Sequence, residues 1–174
     1  MAKIYPNISL TIILCYKVIV QTDRDRKLSA FKFLTETPLG VASTISSLDY
    51  TPQGSLVYYV VDGKNIYFIT TKESQIAQNL TSRNNLSLTV FSKTPSLELQ
   101  IEGTTQFITD KSILSHISHM HHQSTNDSPD SRGWPQSSDS EDFQFVKINV
   151  KTFRFSDFQE KEAKIVEGTS EEWA

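Results

Sequence analysis

The sequence predicts a mainly β protein: a small, mostly antiparallel barrel with short helices between its strands. Three observations carry this. Asp62-Gly63 sits between two runs rich in β-branched and aromatic residues, 55–61 (SLVYYVV) and 65–71 (NIYFITT). Asp-Gly in that setting is a hairpin signal, because the turn needs φ > 0. Apolar and polar residues alternate with period two at 86–91 (LSLTVF), 143–150 (FQFVKINV) and 152–158 (TFRFSDF), the pattern of strands with one buried face. No strand–helix–strand unit repeats, which speaks against a doubly wound parallel sheet, whereas a barrel closes its own edges.

The elements follow in order. Residues 8–20 (ISLTIILCYKVIV) are the most apolar stretch. They are shorter than the roughly 20 residues of a membrane-spanning helix, and Lys17 interrupts them. A basic start (Lys3) and an apolar run suit a secretion signal, but Gln21-Thr22-Asp23-Arg24 follows where a small-residue cleavage site would stand. The β-branched content suits a strand or an added extension. A secreted or membrane-associated protein led by this stretch is a third, lesser reading. Residues 23–37 read as a helix with Leu28, Phe31, Phe33 and Leu34 as its apolar residues, stopped by Pro38-Leu39-Gly40. Residues 40–47 (GVASTISS) suit a strand, and 48–54, with Pro52 and Gly54, a loop. After the hairpin, 73–82 switches to helical spacing with Ile76, Ala77 and Leu80 on one side. Residues 97–108 form a longer strand in which Gly103 marks a bulge or bend. Thr109-Asp110 suits the cap of a helix over 111–119. The polar segment 122–142 reads as a surface loop, and the charged tail after Glu160 is expected to fray. The division is thus an N-terminal extension (1–22), a barrel domain (23–160) and a tail (161–174).

A chain of 174 residues holds one domain. A net charge of -3 and a pI near 5.8 lack the basic excess of a general nucleic-acid binder. Cys15 is the single cysteine, so no internal disulfide forms, which fits a cytoplasmic protein.

The chemistry concentrates at 66–80, where an apolar strand runs into Thr70, Thr71, Lys72 and Ser74 and then a helix begins. Hydroxyls, a cation and free backbone N–H groups meet there, which makes an anion site of the kind used for phosphate. A capped helix start with a solvated lysine is the plain alternative. Tyr58 and Tyr59 are neighbours on a strand and face opposite sides. His116 and His119 share a helix face, but nothing pre-organises His121 or His122 beside them, so no metal is assigned. No P-loop, dinucleotide glycine fingerprint or nucleophile motif is present. The Asn-x-Ser/Thr matches at Asn7, Asn79 and Asn85 matter only in a secreted chain.

Taken in order, several pieces are similar to the pyridoxamine 5'-phosphate oxidase-like family of FMN-binding split barrels. They are Phe33-Leu34, Pro38-Leu39-Gly40-Val41-Ala42-Ser43-Thr44, the run from Ser55 to Gly63, Tyr67-Phe68-Ile69-Thr70-Thr71-Lys72-Glu73-Ser74, Ala77-Gln78-Asn79-Leu80, the strand 86–91, and Ile101-Glu102-Gly103. The similarity covers about Leu28 to Asp110, with an echo from Phe143 to Phe158. It implies an antiparallel Greek-key split barrel and a homodimer with FMN at the interface. The implied chemistry is oxidation or reduction of a small molecule, with no nucleic acid or membrane as partner. On the matching positions, Thr70, Thr71, Lys72 and Ser74 would hold the phosphate, Ser55, Val57 and Tyr58 the ring or ribityl chain, and Gln75 belongs to the same cofactor-binding set. No catalytic residue is assigned.

The chain departs from the family at telling places. Where strong FMN binders supply Arg and Lys after the serine, it has Gln75 and Ile76. Where the vitamin B6 oxidase has basic residues on the second strand, it has Ser55 and Val60. That enzyme's C-terminal segment rich in Arg, His and Trp is also missing, so pyridoxamine phosphate is not the expected substrate. A phosphate monoester carries about -1.5 to -2 charge, which Lys72 alone offsets only in part. A non-catalytic split-barrel module, holding haem, another flavin or no cofactor, is therefore the alternative.

Overall fold

A computed structural model describes residues 22–125, 142–159 and 162–173. The apolar run 8–20 and most of the polar segment 122–142 lie outside the described residues. The elements are α1 (Asp23–Glu36), β1 (Leu39–Ile45), β2 (Pro52–Asp62), β3 (Asn65–Thr71), α2 (Gln75–Ser82), β4 (Asn85–Ser92), β5 (Leu97–Ile108), α3 (Lys111–Thr125), β6 (Phe143–Asp157), β7 (Lys164–Gly168) and a 3₁₀ turn (Ser170–Trp173). All strand pairs are antiparallel, in the order β3-β2-β1-β4-β5-β6-β7. A further β3–β6 pairing closes six of these strands into the expected barrel.

β6 is the hub of the closure. The two final strands expected from sequence are one long strand, paired along its length with β5 from Leu97↔Asp157 to Ile108↔Phe145. Its other edge is shared: the first half pairs with β3 (Thr71↔Phe143 to Ile66↔Ile148), the second with β7 (Phe153↔Gly168 to Asp157↔Lys164). The predicted irregularity at Gly103 is a bulge: Glu102 pairs with Thr152 and Gly103 with Val150, leaving Lys151 as the extra residue on β6. A Cβ on Gly103 would stand 2.4 Å from Asn149 O, so the strands approach too closely for a side chain.

Period-two alternation sends Ala42, Val57, Tyr59, Phe68, Leu88, Val90, Leu99, Ile101, Val146 and Ile148 into the core. α1 adds Ala30, Phe33 and Leu34 to that core, while Leu28 is left 47% exposed. Thr22 and Asp25 form a capping box at the start of α1. At its far end the Tyr59 hydroxyl lies 2.9 Å from Leu34 O and also contacts Thr37 O, sharing its proton between them. Burial pushes the Tyr59 phenol well above its ordinary pKa, so it stays a donor. A second cluster, Val60, Tyr67, Ile108, Ile117 and Phe145, lies on the outer face under α3. That helix runs six residues' worth of sequence past the expected stop at 119, to Thr125.

The C-terminal tail does not fray at once. Val166 is buried in the main core and draws β7 onto β6. Beyond it Glu172 contacts Lys27 Nζ on α1 and accepts from Thr169 N at 2.7 Å. Charge-rich composition hid one well-placed valine.

Candidate functional site

β2 and β3 begin as a tight hairpin at Gly63, whose φ of 57° is the one the Asp-Gly turn requires. Their pairing runs only from Asp62↔Asn65 to Tyr59↔Phe68. Beyond that point β2 continues against β1 (Tyr58↔Leu39 to Pro52↔Ile45), and β3 continues against β6 (Ile69↔Phe145 to Thr71↔Phe143). The sheet therefore opens between 52–58 and 69–71. The residues expected from sequence to hold a cofactor flank this opening: Ser55, Val57 and Tyr58 on one side, Thr70 and Thr71 on the other.

α2 starts at the mouth of the opening. Ser74 is its N-cap: Oγ accepts from Ala77 N at 3.2 Å and lies 2.7 Å from both Thr71 O and Thr70 Oγ1. Thr70, opposite Gln144, faces the barrel side and is half-buried; Thr71 faces outward and is exposed. Lys72 is exposed, and its backbone N–H is fixed to Asp142 O at 2.9 Å. The N–H groups of Gln75 and Ile76, in the first turn of α2, have no acceptor within the helix. The Ser74 hydroxyl is spent on the cap, while Thr71 and Lys72 are exposed on the turn that leads into α2. On β2, Val57 is buried in the core, so only its backbone is open to a ligand. Ser55 shares the inward face and is half-buried. Tyr58, also half-buried, is the outward member of the tyrosine pair.

The sequence reading missed Asn79. It is 1% exposed, and its side chain makes four hydrogen bonds. Its Nδ2 donates to Thr44 Oγ1 (3.0 Å) and Gln53 Oε1 (2.9 Å). Its Oδ1 accepts from Ser47 N (3.0 Å) and Gln75 Nε2 (3.1 Å). Asn79 therefore ties α2 to β1, to β2 and to the loop between them. Gln75, standing where a phosphate-binding cation was expected, turns its amide inward to this network. The available signal was a polar residue within the apolar face formed by Ile76, Ala77 and Leu80. The same loop carries Tyr50 at φ 64°, its ring 4.1 Å from the Arg83 guanidinium.

His116 Nε2 lies 3.4 Å from Asp62 Oδ2. Among the described residues no three His, Cys, Asp or Glu side chains converge on a metal-sized point. The His121 and His122 side chains lie outside what is described. No helix among the described residues is long and apolar enough to cross a membrane.

Comparison with known proteins agrees with this fold. Residues 29–157 match the family model described as pyridoxamine 5'-phosphate oxidase. No curated protein sequence gives a significant match. Among solved structures, a haem-binding protein from Mycobacterium smegmatis superposes with a TM-score of 0.67 at 13% identity, over 87% of this chain. This chain spans only 60% of that protein's length. A protein from Clostridium acetobutylicum, related to general stress protein 26 of B. subtilis (pyridoxinephosphate oxidase family), gives 0.66 at 11% identity, covering 88% of this chain and 100% of the other. An FMN-binding protein related to pyridoxamine 5'-phosphate oxidase, from Nostoc punctiforme, gives 0.53 at 9% identity, covering 83% and 93%. At these identities the likeness is one of fold.

Proposed function

The chain belongs to the pyridoxamine 5'-phosphate oxidase family, and from that membership we propose that it is an FMN-binding flavoprotein acting as an oxidoreductase on a small molecule in the cytoplasm. The observation that carries the reading is the opening between β2 and β3 with the start of α2 at its mouth. The Gln75 and Ile76 N–H groups, the Thr71 hydroxyl and the Lys72 ammonium would hold the FMN phosphate, with Thr70 and Ser74 fixing the turn that presents them. Ser55, the Val57 backbone and Tyr58 would line the ribityl chain and ring. FMN, when bound, supplies the electron chemistry; the chain's own residues bind it, orient it and exclude water.

A homodimer is part of the proposal. Leu56 is 67% exposed and pairs with Val41 on the outer face of β1–β2, and Phe91 on β4 is 65% exposed on the same side of the sheet. A second copy covering this face would bury apolar surface beside Tyr58 and enclose the ring.

The test is the visible spectrum of the purified protein with and without added FMN. A bound-flavin spectrum or a saturable titration supports the proposal, and no uptake refutes it. Lys72→Ala should weaken FMN binding roughly tenfold, because a charge-assisted contact is worth about 1.5 kcal/mol; unchanged affinity removes Lys72 from the site. Light scattering tests the dimer, with Leu56→Glu expected to give monomers. The engagement of Gln75 with Asn79 favours one second reading, a non-catalytic module for haem, another flavin or no cofactor. A folded protein that ignores FMN but takes up haem would establish it.

A further inference from the structure

A cavity of about 500 Å³ lies between α1, the β4–β5 turn and the end of β6. It is remote from the α2 turn: Thr70 pairs with Gln144 near the start of β6, whereas Asp157, which lines the cavity, is the last residue of that strand. Its size is that of a small-molecule site, which typically falls at about 300–1,000 Å³. Phe33, Phe155 and Leu97 give it an apolar wall, with the two rings buried and their centroids 5.9 Å apart. Arg26, Lys32 and Lys164 bring three cations to its lining, against the two carboxylates of Glu36 and Asp157.

Both carboxylates are engaged. Glu36 stands 3.8 Å from Lys32, and Asp157 accepts from the Gln159 backbone at 2.9 Å and its side chain at 3.3 Å. Arg26 is less well matched. The carboxylate it pairs with, Asp23, is 3.7 Å away with its side chain 82% exposed. The Arg26 Nε is closed off from solvent, so the accessible part of the guanidinium is its terminal nitrogens. A guanidinium presents a fork of donors suited to a carboxylate.

We propose that this cavity is a ligand site, separate from the FMN turn, for a small organic carboxylate with an apolar body. The carboxylate pairs with the terminal nitrogens of Arg26, in place of the exposed Asp23. The body packs on Phe33, Phe155 and Leu97. Neither the site nor its test depends on flavin binding.

The probe is 2-naphthoate, titrated calorimetrically into the full chain, with the uncharged 2-naphthylmethanol as control. Saturable one-to-one binding of the acid is expected. It should be at least tenfold weaker for the alcohol and for Arg26→Gln, and unchanged when FMN is present. Leu97→Trp, which fills the cavity, should abolish it and serves as the deciding variant if Arg26→Gln does not fold. The proposal is overturned by no saturation up to about 5 mM, or by equal affinity for acid and alcohol. It is likewise overturned by indifference to Arg26→Gln or Leu97→Trp, or by displacement of the probe by FMN.

Discussion

Replacing Asn79 with leucine removes the polar centre of the α2 anchor at nearly constant volume, so no large cavity complicates the result. Four hydrogen bonds disappear, but they are not equivalent. Gln75 is exposed and Gln53 half-buried, and both amides can turn to water. The Thr44 hydroxyl, on a residue 4% exposed, and the Ser47 N–H in the tight β1–β2 loop lose partners that water does not easily replace. Two stranded groups at about 1–3 kcal/mol each, less about 1–2 kcal/mol regained by burying leucine, leave a loss of roughly 3 kcal/mol. For a chain of this length that lowers Tm by about 6–12 °C. Urea denaturation is the assay: the midpoint should fall with m unchanged, because the folded barrel still buries the same surface. If the proposed function holds, FMN affinity falls too, since the N–H groups that meet the phosphate ride on α2. A stability loss below about 1 kcal/mol would refute the claim that this asparagine anchors the helix.

Three further outcomes follow from particular contacts. Gly103→Ala should cost about 2–3 kcal/mol in urea denaturation, because the new Cβ meets the Asn149 backbone rather than a flexible side chain; an unchanged midpoint contradicts the close approach of β5 and β6. Tyr59→Phe strands the Leu34 and Thr37 carbonyls and should cost about 2 kcal/mol. Its signature is faster amide exchange in the last turn of α1, and exchange at the wild-type rate would count against it. The hydrogen bonds of Asp25 with Thr22, and of Glu172 with Lys27 and Thr169, hold both carboxyls below their ordinary range. Folded pKa values below the unfolded ones give stability that is complete above the unfolded values and lost as pH falls through the folded ones. Tm should therefore drop as pH falls from the ordinary carboxylate range through the lowered folded values, with a shallower fall in an Asp25→Asn, Glu172→Gln double variant; an equal fall refutes these two groups as the cause.

Much of the barrel was legible because its signals are local. Asp62-Gly63 names its turn, alternation names the strands, and Gly103 names its bulge. The break in pairing between β2 and β3 was not legible, because it depends on which partner wins each half of a strand, and that is decided by β1 and β6 far along the chain. β7 was hidden by the charged residues around Val166. At the site, sequence named the residue types at the start of α2 as a group, but not their division of labour. Ser74 caps, Thr70 braces it, and Gln75 faces inward to Asn79, a partner four residues on that looked like one more polar position on a helix. The cavity beside α1 left no mark in the sequence, since its lining comes from α1, β4, β5, β6 and β7.

The shared edge of β6 has a consequence for how the chain is made. Until Phe143–Asp157 has left the ribosome, β3 and β5 each present an unpaired edge, and β6 is the one partner that satisfies both. Closure joins Ile66 to Ile148 across nearly half of the sequence, a long loop of the kind that slows folding. A nascent or truncated chain ending before β6 is therefore an open sheet with two sticky borders, prone to pairing with its neighbours. For expression, the vulnerable product is a chain that stops short of its sixth strand.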